Sequence, residues 1–202
     1  MSLGIQLDNT LSWRPQVLQV TKKVNRVLYF LKTIRPCTSI SLRRRLVESL
    51  VVPHLDYCKV LYSDVCNELR LQLQRLANNG IRYIHGIRRH EHIPPYRRKL
   101  GWMTSLTRTD YFASLVMYRI VRLKEPPILL SVFKSYKPYR PVRGPRKDLE
   151  PIKVTTDWDL NSFQVKYSKF WNNIPPCIRD LPSFSRFKKV IRQYLYKSDL
   201  QQ

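Results

Sequence analysis

Acidic residues are scarce in this chain of 202 residues: 14 Asp and Glu stand against 37 Lys and Arg, for a net charge of +23. Most cations therefore lack an internal partner. A fold so charged repels itself unless a polyanion compensates, and the commonest polyanion is nucleic acid, with anionic membrane as the competitor. Glycine is sparse too. With only five glycines, no Gly-rich phosphate loop is present. Long hydrophobic runs are missing: stretches such as Leu50-Val51-Val52 fall far short of a bilayer span, and no apolar segment follows Met1. Neither a transmembrane helix nor a signal peptide is expected. The four cysteines, Cys37, Cys58, Cys66 and Cys177, form no C-x-x-C pair and no disulfide framework. An intracellular setting, nucleus or cytoplasm, is the expectation.

What is present argues against a disordered basic tail. Hydrophobic residues make up 43% and aromatics 11% of the chain, enough to bury a core. The positive excess is not confined to one end, since 1–40, 41–100, 101–150 and 151–202 are each net positive.

Leu3-Gly4-Ile5-Gln6-Leu7 alternates as a short strand does, and Ser12 is placed to cap a helix whose first turn contains Pro15. Val17, Val20, Val24, Val27, Leu31 and Ile34 recur in steps of three and four, which predicts one apolar stripe, with Lys22, Lys23 and Arg26 off it. Thr38 or Ser39 opens a second helix with Leu42, Leu46 and Leu50 on one face and Arg43, Arg44 and Arg45 mostly away from it. Pro53 breaks or kinks that helix. A third helical stretch is expected from about His54 to Val65. A fourth follows Asn67, with Leu69, Leu73, Leu76, Ala77, Ile81 and Ile84 in line, and Gly80 inside this stripe permits close helix contact. Short connections make this half an antiparallel helical bundle.

The pattern lapses at Arg88–Pro95, so the expected division is a thumb-like bundle over 1–90 and a basic C-terminal region over 91–202. A longer helix follows from about Ser105 to Lys124, with Leu106, Ala113, Val116, Met117, Ile120 and Leu123 inward. Lys134, Lys137, Arg140, Arg143, Arg146 and Lys147 lie among prolines and a glycine with no acid between them, as an extended basic loop. Val154 to Asp159 is a candidate short strand. A closing helix capped by Ser183 carries Phe187, Val190, Ile191, Tyr194 and Leu195. The fold class is therefore mainly α with little β.

No catalytic constellation emerges. Asp157 and Asp159 share one face of a short strand, where exposed acids are the simpler reading than a metal pair. His54, Cys58 and Cys66 lack a fourth zinc ligand at finger-like spacing, so reduced cysteines packed as small hydrophobes are expected. His85, His90 and His92 lie among cations, as solvated or phosphate-facing side chains. No cofactor, no metal and no enzymatic activity of the chain by itself are expected. The basic segments are more informative. Arg88, Arg89, Arg97, Arg98 and Lys99 interleave with Tyr83, Tyr96 and Trp102, and cations neutralise phosphates while rings stack on bases. Tyr83 and Trp102 serve equally well as core anchors. The expected nucleic-acid contacts are these five cations, the six of the 134–147 loop, and Lys22, Lys23, Arg26, Arg43, Arg44 and Arg45.

Several of these segments, taken in order, resemble one family. Leu3-Gly4-Ile5-Gln6-Leu7-Asp8-Asn9-Thr10-Leu11-Ser12-Trp13 resembles the passage from palm to thumb in reverse transcriptases of non-LTR (LINE-like, jockey and CR1-like) retrotransposons. Val51-Val52-Pro53-His54-Leu55-Asp56-Tyr57 and Leu73-Gln74-Arg75-Leu76-Ala77-Asn78 with Ile81-Arg82 resemble the thumb. Phe170-Trp171-Asn172-Asn173-Ile174-Pro175, then Ser183, Phe187-Lys188 and Tyr194-Leu195, are similar to the W-N-x-L-P … S-x-x-x-F-K … Y-L pattern that closes such polyproteins, with Ile174 in place of Leu. In that family the polymerase aspartates lie in a Tyr/Phe-x-Asp-Asp motif upstream of the Leu-Gly-Ile strand, beyond which lies an endonuclease. Neither is in this sequence, and Asp8 belongs to the strand exit. The resemblance implies a non-catalytic part that grips template–primer or target DNA beside a palm and fingers. The alternative is a stand-alone, domesticated nucleic-acid-binding protein.

Overall fold

The computed structural model describes residues 4–6, 8, 9, 12–61, 63–135, 148–150, 152 and 162–201. The chain is mainly helical. Helix α1, Arg14–Thr33, starts with Pro15 in its first turn, where no N–H partner is required, and a short turn containing Pro36 follows its end. Val17, Val24 and Leu31 are fully buried, and each such burial contributes about 1.5–3 kcal/mol. Charge introduced at Val24 would break this face, because nothing there can solvate it.

Helix α2, Ile40–Leu50, is capped by Ser39, whose hydroxyl accepts from the Leu42 N–H at 3.3 Å. Its buried face is not the expected leucine stripe. Leu42 and Leu50 are 43% and 42% exposed, while Val47 is fully buried. The reason lies on α4, Asn67–His85, where Gly80 meets Val47: a Cβ at Gly80 would stand 3.1 Å from Val47 Cγ1. This close approach turns Val47 inward; Leu46 stays partly buried against the core, while Leu42 and Leu50 face solvent. The expected third helix is shortened to α3, Val52–Asp56, since Cys58 takes a left-handed backbone (φ 52°).

Side-chain contacts fix the helix directions. Arg14 pairs with Glu68 and Gln72 donates to Thr21, so α1 and α4 run side by side in the same sense. Arg43 reaches the Ile84 carbonyl and Val47 meets Gly80, so α2 runs antiparallel to α4. The shared core of Val17, Val24, Leu31, Val47, Leu73, Leu76 and Ile84 also takes in Ile93 and Leu100, with Tyr96 and Trp102 packed against it. Ile93 precedes α5, Pro94–Leu100, and Leu100 ends it. The first compact unit therefore extends to Thr109, and the second runs from Asp110 to Gln202. The division falls inside α6, Ser105–Tyr118, rather than at the 90/91 boundary drawn from the proline-rich lapse.

After α6 come a widened turn (Arg119–Leu123), α7 (Pro127–Leu130), α8 (Phe163–Asn173), α9 (Pro176–Arg179) and α10 (Phe184–Leu200). Ala113, Met117 and Ile120 point inward as expected, but Leu106 and Leu123 are exposed. Tyr118 stacks on Phe187 with ring centroids 4.3 Å apart, and Trp171 lies 5.9 Å from the same ring. Asn172 ties down the segment at 148–149: its Oδ1 accepts from the Asp148 and Leu149 N–H groups (3.0 and 3.2 Å), and its Nδ2 donates to the Leu149 carbonyl (2.9 Å). Buried Arg179 pairs with Asp148 at 2.9 Å and donates to the Ile174 carbonyl at 2.8 Å. The Trp-Asn segment is thus a packing and clamping device. Ser183 stands at the N-cap of α10 without a side-chain cap bond.

Among the described residues, β structure is limited to an antiparallel bridge between Ser135 and Leu149 and a bridge position at Ile5; Leu3 and Leu7, the ends of the strand expected over 3–7, lie outside the described residues. The candidate strand at 154–159 lies outside the described residues. No helix among the described residues is long and apolar enough to cross a membrane.

Candidate nucleic-acid interface

Two helices running in the same sense leave a furrow between them, and its chemistry is set by the residues that flank each apolar stripe. On α1 these are Asn25, Tyr29 and Lys32, spaced at i, i+4 and i+7. On α4 they are Arg75, Asn79 and Arg82, with the same spacing. Residues so spaced share one helix face. With Arg35, Tyr83, Ile87 and Arg89 they line an open groove of about 950 Å³. Five of the lining residues are cations and none is acidic.

Several details show how these side chains are placed. Gly86 ends α4 in a left-handed conformation (φ 72°), and a Cβ there would collide with the Arg35 guanidinium. The turn itself calls for glycine, whereas the flexible end of Arg35 would swing aside from a Cβ. Arg82 Nη2 donates to the Arg89 carbonyl at 3.1 Å, which ties the segment after α4 to the groove wall. Arg82 Nε and the Tyr83 hydroxyl are buried without a hydrogen-bond partner. Tyr83 is only 3% exposed, whereas Tyr29 is 75% exposed. An unpartnered buried donor is costly, about 1–3 kcal/mol, unless something supplies an acceptor.

Cations near helix C-termini also offset the helix dipole, as Lys32 and Arg82 do in the last turns of α1 and α4. That effect is confined to the last turn. Arg75 stands well before it and Arg89 beyond it, so dipole compensation does not account for the whole set.

The cations singled out from sequence are distributed unevenly. Lys22, Lys23 and Arg26 are exposed on α1, as expected. Arg43 is a structural residue: its guanidinium donates to the Thr38 carbonyl (2.7 Å), the Arg35 carbonyl (3.2 Å) and Thr38 Oγ1 (3.2 Å). Arg44 pairs with Glu48 at 2.9 Å and reaches the Leu100 carbonyl. Arg45 is exposed. Arg89 is in the groove wall, Arg88, Arg98 and Lys99 are exposed, Arg97 is half-buried, and Lys99 lies over the Tyr96 ring at 5.7 Å. In the second unit Lys134 is exposed, while Lys137, Arg140, Arg143, Arg146 and Lys147 lie outside the described residues.

Of the histidines, His90 and His92 are exposed, but His85 packs against Tyr96 with centroids 5.0 Å apart. Burial, assisted by the nearby Lys99 charge, pushes the His85 imidazole below its ordinary pKa. Tyr83 belongs to the core and also lines the groove. Cys37, Cys66 and Cys177 are exposed rather than packed, and only Cys58 rests against the core. Among the described residues, no group of three His, Cys, Asp or Glu is arranged to hold a metal ion.

Lys32, Arg35, Arg75 and Arg82 were not among the expected contacts. None stands in a run of cations, so segment composition does not reveal them. For Lys32, Arg75 and Arg82 the usable signal is the repeated i, i+4, i+7 spacing beside each apolar stripe. No family model matches the chain, and neither a curated protein nor a solved structure does.

Proposed function

We propose that this chain binds nucleic acid inside the cell, as the thumb and C-terminal region of a non-LTR retrotransposon reverse transcriptase, gripping template–primer or target DNA and performing no chemistry itself. The observation that carries the binding reading is the acid-free groove between α1 and α4, where Lys32, Arg35, Arg75, Arg82 and Arg89 converge. A +23 chain supplies long-range attraction for any polyanion, whereas a groove with amide and aromatic walls favours a strand over a flat membrane surface. The retroelement assignment rests on the ordered sequence resemblance, to which the structure adds a packing role for Trp171 and Asn172.

Competition tests this reading. Labelled oligonucleotide is bound by the full chain and challenged with unlabelled oligonucleotide or with phosphatidylserine-containing vesicles at matched accessible charge. The oligonucleotide should displace the label at much lower charge equivalents. Equal or better displacement by vesicles would refute nucleic acid as the partner. Incubation with primer, template, nucleotides and Mg²⁺ should give no extension, because no Asp-Asp pair occurs anywhere in the sequence. Template-dependent extension would refute the non-catalytic assignment.

A further inference from the structure

We infer that the α1–α4 groove takes an unpaired nucleotide of a single strand, with its base on Tyr29 and its edge on the Tyr83 hydroxyl, rather than the backbone of a duplex. The inference rests on the nucleic-acid reading above and names the form of nucleic acid. Phosphate neutralisation alone would need only cations, yet the groove also presents a ring that is 75% exposed and two carboxamides, Asn25 and Asn79. A large ring held in water on a helix gains nothing from folding. It gains by stacking on a base, which is sequence-tolerant because every base has a π-face. Tyr83 is the independent observation: the residue lines the groove although only 3% exposed, and its buried hydroxyl has no partner. A base carbonyl or ring nitrogen supplies the acceptor it lacks, and Asn25 and Asn79 offer both donor and acceptor to the remaining edge. In a duplex those edges are already paired. The open groove between α1 and α4, about 950 Å³, has room for a nucleotide. Arg35 and Arg82 flank it for the adjoining phosphates.

The experiment uses the full chain and fluorescence anisotropy at one fixed salt concentration. The probes are oligo(dT), an oligonucleotide of the same length with abasic sites in place of its bases, and a duplex of equal length. Oligo(dT) should bind roughly ten-fold tighter than the abasic strand and also tighter than the duplex. Tyr29→Ala should abolish the preference over the abasic strand without changing helical content, since the ring is exposed, and Tyr29→Phe should restore it. Tyr83→Phe should weaken oligo(dT) roughly three-fold or more and leave the abasic strand unaffected. Equal affinity for all three probes, or a preference for the duplex, would overturn the inference while leaving nucleic-acid binding intact. Failure to bind any of the three would overturn both.

Discussion

Replacing Gly80 by alanine sets two known effects against each other. In the middle of α4, alanine is favoured over glycine by about 1 kcal/mol through helix propensity. The added methyl, however, would lie 3.1 Å from Cγ1 of Val47, a residue with no exposed surface on which to retreat. Overpacking of this kind costs about 1–3 kcal/mol. The net expectation is a loss of about 1 kcal/mol from the first unit, despite the better helix former. The chain has two compact units, so a single global midpoint would mix them. Amide exchange in the interior of α4 isolates the relevant one and should speed up roughly five-fold. Val47→Ala alone deletes two methyl groups and costs about 2 kcal/mol. In the double variant the clash is gone and the propensity gain remains, so it should be more stable than the sum of the single changes predicts, by about 1–2 kcal/mol. If Gly80→Ala instead slows exchange, α2 and α4 separate at no cost, and the account of why α2 buries Val47 rather than its leucines is wrong.

Two other perturbations read different parts of the molecule. Lys59 is 5% exposed, and burial, with a smaller push from Arg108 and partial relief from Asp56, lowers its pKa from 10.5 to about 8. The folded chain therefore releases this proton near pH 8 while the unfolded chain holds it to about 10.5. Stability should rise with pH across that window, by up to about 3 kcal/mol. Lys59→Met should remove this rise and slow amide exchange in the interior of α4 at pH 7, and an identical pH dependence of the first unit's stability in both forms would exclude Lys59 as its source. In the second unit, Asp148→Asn leaves Arg179, 1% exposed at its side chain, without the carboxylate 2.9 Å away. Breaking a buried pair costs about 3–5 kcal/mol, so exchange in α10 should accelerate by more than a hundred-fold, and a change below ten-fold would mean the guanidinium is solvated by other groups.

The parts of the fold that were legible in the sequence are those governed by one segment at a time. The stripes of α1 and α4 follow from spacing alone, and Gly80 announced a close contact before its partner was known. The face that α2 buries did not follow from spacing, because the choice between the leucine stripe and Val47 is made by a glycine on another helix. The boundary was displaced for a similar reason. Arg88–Pro95 looks like a linker, but Ile93 and Leu100 are single apolar residues that join the core of the first unit, and isolated anchors leave no periodic trace. For the candidate site, runs of cations pointed to Arg43 and Arg44, which hold carbonyls and Glu48. The groove adds Lys32, Arg75 and Arg82, which stand one at a time on two helices, and only the helix pairing brings them together.

The central claim, that this groove is where nucleic acid binds, is tested most directly by the salt dependence of oligonucleotide affinity in the triple variant Lys32→Gln, Arg75→Gln, Arg89→Gln. These side chains line the groove and have no acidic partner among the described residues. A control of equal charge loss is Arg186→Gln, Lys188→Gln, Lys189→Gln on the exposed face of α10. Each phosphate contact removed lowers the log–log salt slope by about 0.7 on a single strand. The groove variant should therefore lose about 2 from its slope, with helical content unchanged, while the control keeps the parent slope. Equal slopes for the parent and the groove variant, or an equal loss in the control, would contradict the account.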